Sequence, residues 1–408
     1  MTEVQEERPP LDEGEAHGIV ATRGTHAASH RRHRAPGDGP SRRWMFGFFS
    51  ILAVVLVLAA GLAYVGLSTV RSSRAGRVIS TITDPAAPGF EALVEPTPTL
   101  VVLDGTADRK LQTVAVLSLN ADDRGGAVML VPPDTMTLTG KPPVPVSVVY
   151  GFASQPEDAR FGVQEIVTTG IGESALMDDE HWAQLVAPVA PLHIDNPVDR
   201  PGFPSGPVAL TADQVGPWLH DLAPGETQVE ALQRQELFWK AWVAAVAASP
   251  TPDTAVPGEV TAGLGRFVRG LARGTARVES VPVEPRTTST GVVYDSDAAA
   301  TRALVNELLP FPTGTPTASR VRVRLLDGTG DQQHVRRVAP MLIPADAEIV
   351  VAGNAGNFHY TTTEIRYHDP VVKAQAEALQ KALGVGKVVE DPRPTEAFDV
   401  TIILGTDV

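Results

Sequence analysis

Three textures of apolar and polar residues alternate along this chain. Residues 1–43 show almost no apolar periodicity. Residues 44–70 are 27 positions without a charge, rich in Leu, Val, Ala and Phe. From residue 99 onward, short apolar runs are broken by Asp, Gly and Pro. Leu100, Val101, Val102 and Leu103 stop at Asp104-Gly105-Thr106. A second run covers 113–120, and a third covers 127–131 before Pro132-Pro133-Asp134-Thr135. Short β-branched runs bounded in this way predict buried strands of one sheet. A further short strand is expected at 144–150.

Helical spacing then takes over. It predicts helices at 161–170, on Phe161, Val163, Ile166 and Val167, and at 182–186 before Pro188. Residues 192–195 alternate like a strand, and the four prolines of 196–207 demand a loop. Thr211 is placed to cap a helix. A longer helix is expected at 227–248, burying Leu232, Gln235, Trp239, Trp242, Val243 and Val246. Pro and Thr make 250–257 a loop. Helices follow at 260–273, with Arg266, Arg269 and Arg273 near one side, and at 297–309. That arginine face suits anionic headgroups or polymer phosphates, although a solvated face is the plainer reading. The last 90 residues read βαββαββ, with strands at 320–326, 348–351, 362–367, 387–389 and 399–404 and helices at 332–341 and 371–383. This order predicts a small α/β sandwich.

Charge and composition narrow the picture. The chain has 408 residues and a net charge of −14. Residues 1–43 hold seven acidic and seven basic side chains, so the acidic excess lies beyond the apolar span. An acidic domain lacks the Lys and Arg that displace counterions from phosphates, which argues against nucleic acid as a partner. Without cysteine there is no disulfide, thiolate metal site or Cys nucleophile. Residues 1–43 cannot bury enough surface to offset ordering entropy and read as a disordered cytoplasmic tail. Residues 44–70 are long enough to span a bilayer with some tilt. Five arginines precede the span closely and three follow it, which favours a cytoplasmic N-terminus and places the folded domains outside the cell membrane. Residues 71–98 read as a stalk, and 313–319 as a linker.

No P-loop, Gly-x-Ser-x-Gly or His-Glu-x-x-His sequence is present. His359 and His368 flank one strand but lack further ligands, and His193 and His220 stand isolated. The carboxylates Asp104, Asp108 and Asp134 fall at the ends of neighbouring strands. Converging carboxylates can hold Mg²⁺ against a phosphate. The plainer reading gives Asp104 and Asp134 to turns and caps.

Residues 320–408 resemble the C-terminal LytR-type domain (LytR_C) of the LytR–CpsA–Psr (LCP) family, through 321–330, Gly353-Asn354-Ala355, Thr361-Thr362-Thr363-Glu364-Ile365, Tyr367 and 403–407. Residues 99–312 resemble the family's catalytic domain in outline: 113–120, 129–135, 185–197 and Arg234-Gln235 look like its strands and the start of its long helix. The resemblance implies an α/β fold, an LCP-like mixed sheet flanked by helices, followed by the smaller domain. It also implies transfer of glycopolymer from a polyprenyl-pyrophosphate carrier to peptidoglycan. Arg and Mg²⁺ would stabilise charge on the bridging oxygen, and an apolar groove would hold the lipid. On this basis Asp134 and Arg234 are the candidate catalytic residues. Arg109, Lys110 and Arg234 are candidates for binding pyrophosphate, and Asp104 and Asp108 for a metal.

The sequence departs from the family pattern where charge matters. Lys110 and Gln112 stand where Arg and Asp are expected, and Pro133 replaces the Arg of Pro-Arg-Asp-Thr. His220-Asp221-Leu222 stands for Arg-x-Arg, and Gln228 and Ala231 for an Asp and an Arg. Lys cannot reproduce a bidentate fork. Each lost charge-stabilising group is worth roughly 3–4 kcal/mol in comparable sites. The expectation is therefore a degenerate, non-catalytic envelope protein. It would bind polymer, peptidoglycan, carrier lipid or an active relative, with Mg²⁺ needed only if activity remains. A weak phosphotransferase is the alternative.

Overall fold

The computed structural model describes residues 82–138, 142–393 and 397–408. The tail at 1–43, the apolar span at 44–70 and the first part of the stalk lie outside the described residues. No described helix is long and apolar enough to cross a membrane.

Counting from the first described strand, β1 (Glu91–Leu93), the three apolar runs become β2 (Thr99–Gly105), β3 (Leu111–Leu119) and β4 (Gly126–Val131). Helices α1 (Val146–Phe152) and α2 (Ala159–Val167) precede β5 (Glu173–Met177). Then come α3 (Asp179–Val186), the hairpin β6 (Leu192–Asn196) and β7 (Gly206–Leu210), α4 (Val215–His220), α5 (Gln228–Ala248) and α6 (Gly263–Ala272). The domain closes with β8 (Ala276–Ser280), the hairpin β9 (Val283–Thr288) and β10 (Gly291–Ser296), and α7 (Ala298–Leu308).

The central sheet has the order β5-β2-β3-β4-β8, antiparallel in its middle and parallel at both edges. Every residue of β2 is buried, because both faces are covered. Leu100, Val102, Leu117 and Leu130 meet a layer built from α3, α4, α5 and α6. Val101, Leu103, Val116 and Met129 meet α1, α2 and α7. The first layer is filled by aromatic rings. Trp182 stands edge-on to Phe238, Trp239 and Trp242 with ring centroids 5.3–6.0 Å apart, and none of the four is more than 3% exposed. Edge-to-face packing suits the ring quadrupoles.

Two sequence expectations change here, and one segment without an expectation gains strands. The segment 144–150 is helix rather than strand: Pro145 stands at the N-cap, and Val146 and Tyr150, one turn apart, both reach the core. A β-branched run of this length fits either state until packing decides. Strands β8 to β10 carry too little apolar alternation to be seen in advance. The arginine face of 260–273 is not free. Arg266 pairs with Asp123 (Nη2–Oδ1 3.0 Å), Arg269 is buried and donates to the Val256 carbonyl at 2.5 Å, and Arg273 pairs with Asp253.

The C-terminal domain follows the expected βαββαββ order: β11 (Val321–Asp327), α8 (His334–Leu342), β12 (Ala347–Asn354), β13 (Glu364–Tyr367), α9 (Lys373–Leu383), β14 (Lys387–Glu390) and β15 (Val400–Leu404). Its sheet runs β1-β12-β11-β15-β13-β14. The edge strand β1 comes from the segment read as stalk. It pairs antiparallel with β12, and Glu91 pairs with Arg324. The Asn354 amide donates to the carbonyls of Pro85 and Ala87 at 2.9 and 2.8 Å. The short linker is packed too: Thr313 bonds with Thr169, and the Gly314 N–H donates to Glu348 at 3.0 Å. Arg302–Asp346 (2.5 Å) and Arg320–Asn306 (2.6 Å) tie α7 to the C-terminal domain.

Candidate functional site

The strand ends hold a carboxylate–imidazole pair that the sequence did not reveal. Asp104 lies one residue before the end of β2, at an irregularity in its pairing with β3, and is fully buried. Its Oδ2 accepts from Thr113 Oγ1 at 3.1 Å and meets His220 Nε2 at 2.8 Å, while Oδ1 is buried without a partner. His220 is the last residue of α4, and its Nδ1 lies 3.2 Å from Asp179 Oδ1. Burial opposes charge on this imidazole. The hydrogen bond and charge of Asp104, with Asp179 and Asp221 nearby, outweigh it and raise the His220 pKa above its ordinary value.

Beside this pair is a cavity of about 440 Å³, lined by Thr106, Tyr150, Asp178, Asp179, Glu180 and His181 among others. Asp178 caps α3 through the His181 N–H at 2.8 Å and also meets its ring Nδ1 at 2.7 Å. Burial would raise the Asp178 pKa, but these bonds lower it. Tyr150 is 5% exposed. Burial, and then the charge of Asp104, push its phenol pKa up. Gly105 is required against this ring, since a Cβ there would stand 2.5 Å from the Tyr150 hydroxyl oxygen.

The remaining candidates are engaged elsewhere. Arg109 takes a left-handed backbone conformation (φ 61°) and turns its guanidinium to the C-terminal end of α1, donating to the carbonyls of Ala153 (2.9 Å) and Tyr150 (3.4 Å). Cations are favoured at such helix ends. Lys110 is exposed and pairs with Asp108 at 2.9 Å. Thr106 also bonds Asp108, whose pKa is lowered first by Thr106 and then by Lys110. Asp134 is locked to α5: it accepts from Gln228 Nε2 at 2.7 Å and returns its N–H to Gln228 Oε1 at 3.0 Å, while Ser147 donates to its other oxygen.

Arg234 is fully buried, and all three guanidinium nitrogens have partners. It forks onto Glu226 with two bonds of 2.9 Å and donates to the carbonyls of Trp218 (2.5 Å) and Asp221 (3.0 Å). Arg200, absent from the sequence candidates, donates to the same two carbonyls. Burial, followed by the charge of Arg234, lowers the Arg200 pKa to about 10. The two arginines hold the end of α4 and so position His220. The substitution of His220 for an expected arginine was the available signal for the pair. Asp104 was visible as a strand-end carboxylate, but its pairing with His220 across 116 residues had no signal.

These residues do not fit a magnesium ion. One oxygen of Asp104 is taken by Thr113 and His220, and Asp108 is tied to Thr106 and Lys110 in an exposed turn. Among the described residues no three His, Asp or Glu side chains converge to hold a metal. His359 and His368 make no metal pair either. The ring nitrogens of His368 meet the Asp391 carbonyl (3.2 Å) and Thr401 Oγ1 (3.0 Å).

Residues 320–407 match the family model LytR_C, described as LytR cell envelope-related transcriptional attenuator. Solved structures similar to this chain include Bacillus subtilis TagV (13% identity, TM-score 0.44, covering 53% of this chain and 97% of that one). B. subtilis TagT is similar at 10% identity and TM-score 0.43, over 56% and 93%. The LytR-Csp2A-Psr enzyme from Actinomyces oris is similar at 14% identity and TM-score 0.39, over 54% and 94%. No curated protein matches the chain.

Proposed function

We propose that this is a single-pass cell-envelope protein of the LCP type, whose larger domain binds wall glycopolymer, its polyprenyl-pyrophosphate carrier or an active relative without transferring the polymer. The observation that carries this reading is the fate of the cations. Arg234 spends its donors on Glu226 and protein carbonyls, Arg109 turns its Nη2 to the carbonyls of Tyr150 and Ala153, Lys110 pairs with Asp108, and the strand-end cavity is lined by carboxylates instead. A pyrophosphate in such a cavity would meet repulsion where transfer needs stabilisation. The LytR_C match supports an envelope role. TagT has been solved bound to LIIa-WTA, and a polymer of that general class is the partner proposed here. In this reading 44–70 anchors the chain, with 1–43 in the cytoplasm and the folded domains outside.

The test is to incubate the full chain, in neutral detergent, with labelled lipid-linked glycopolymer, peptidoglycan and Mg²⁺. The expected result is no transfer above that of an active-site variant of a competent relative, and clear transfer overturns the reading. One observation favours the alternative, a weak phosphotransferase. The buried Asp104–His220 pair has the geometry by which a carboxylate orients an acid–base imidazole. In that case Asp104→Asn would lower a measurable activity without unfolding the domain.

A further inference from the structure

The strand-end cavity has a polarity that the non-catalytic reading leaves unexplained. Its volume, about 440 Å³, lies within the range of small-ligand sites. Asp178, Asp179 and Glu180 line it, and Asp104 lies buried behind His220. The facing basic side chains are His220 and His181, each already bonded to a carboxylate. Neither Arg nor Lys is among its lining residues. The N-terminus of α3 opens beside it, and an uncapped helix start would attract an anion. Here Asp178 fills that position, and Asp179 and Glu180 occupy the first turn.

A second observation points to a ligand. The Tyr150 hydroxyl lines this cavity on a side chain 5% exposed, yet it meets no hydrogen-bond partner among the described residues. Its oxygen opens to the cavity, where a ligand or water must satisfy it. An ammonium group offers three donors and accepts none, so it can serve the phenol oxygen and two carboxylates together. A neutral amide or a sugar hydroxyl would leave the carboxylates without a countercharge, and a phosphate would be repelled by them.

We propose that this cavity binds a primary ammonium group, carried by a lysine-type side chain or an amino sugar, against Tyr150, Asp179 and Glu180. The assignment stands apart from the question of polymer transfer, which has its own assay.

The test is calorimetric titration of the full chain in neutral detergent. The probes are Nα-acetyl-lysine methylamide and glucosamine. Their neutral counterparts, acetylated on the amine, serve as controls, with inorganic pyrophosphate and MgCl₂ as competing chemistries. Saturable binding of either ammonium probe but not of its acetylated form is expected, and the probe that binds identifies the source. A hydrogen bond to a charged group predicts that Tyr150→Phe weakens binding at least about tenfold. Its melting midpoint should hold or rise, since the free hydroxyl has no bond to lose. Glu180→Gln, at an exposed position, should weaken binding by about threefold or more. Equal binding of acetylated and free amines, no saturable binding of either amine, indifference to Tyr150→Phe, or preference for pyrophosphate or Mg²⁺ would each overturn the assignment.

Discussion

The chain writes Leu-Asp-Gly-Thr twice at the end of a strand, at Leu103–Thr106 and at Leu326–Thr329, and the two copies have different fates. In the C-terminal domain Asp327 closes its own turn. Its Oδ1 accepts from the Thr329 N–H (3.0 Å) and hydroxyl (2.7 Å), and its Oδ2 accepts from the Gly330 N–H at 2.7 Å. His334, seven residues on, lies 3.2 Å away. Asp104 is equally buried but takes nothing from its own turn. It relies on Thr113 and on His220, and keeps one oxygen without a partner. Local donors make a carboxylate structural. Distant donors and a spare oxygen leave it electrostatic influence over its surroundings. The raised His220 pKa follows from the second arrangement, and Asp104 adds to the burial that raises the Tyr150 phenol.

The largest effect that could break this comparison lies in the support behind His220. Arg234→Ala leaves the buried Glu226 without its forked partner, while Arg200 still holds the Trp218 and Asp221 carbonyls, so it should cost about 3–5 kcal/mol by denaturant unfolding. A loss below about 1 kcal/mol would mean that the arginine is not the structural clamp described. Next comes the contrast between the two aspartates. Asp327→Ala unpairs two backbone N–H groups and should cost about 3 kcal/mol, whereas Asp104→Ala also removes an unsatisfied oxygen and should cost about 1 kcal/mol. The reverse order would erase the distinction.

The pH dependence is smaller and has a definite sign. The His220 pKa is raised on folding. Its contribution to stability is therefore complete below the unfolded value near 6.5 and is lost as pH rises through the folded value. Unfolding midpoints measured from pH 6 to 9 should fall with this titration in the native protein and fall less in Asp104→Asn. The smallest effect belongs to the exposed Lys110. Lys110→Ala should leave the midpoint unchanged, because an exposed pair contributes little.

The C-terminal domain could be read almost completely in advance. Its strands are short β-branched runs with turn residues at each end, and its helices have clear apolar spacing. The three strands at 99–131 were legible for the same reason. Reading failed where local pattern and packing disagree. Pro145 and the pairing of Val146 with Tyr150 turned a strand-like run into α1. Glu91–Leu93 is a strand only because β12 offers an edge. Arg286 and Asp295 face each other across an exposed hairpin with little apolar alternation. At the site, Asp104, Asp108, Asp134, Arg109, Lys110 and Arg234 were all visible as chemistry-bearing residues, but their partners were not. The pairs Asp134–Gln228 and Asp104–His220 span 94 and 116 residues, and such couplings leave no local trace.

In the larger domain Arg234 is buried against Glu226, Arg109 is bonded to the end of α1, Lys110 is paired with Asp108, and carboxylates line the strand-end cavity. Titration of the full chain with inorganic pyrophosphate, with and without Mg²⁺, tests this arrangement most directly. No saturable binding is expected at sub-millimolar concentration, and none is gained on adding Mg²⁺. Saturable sub-millimolar binding that is lost in Arg109→Ala or Lys110→Ala would contradict it.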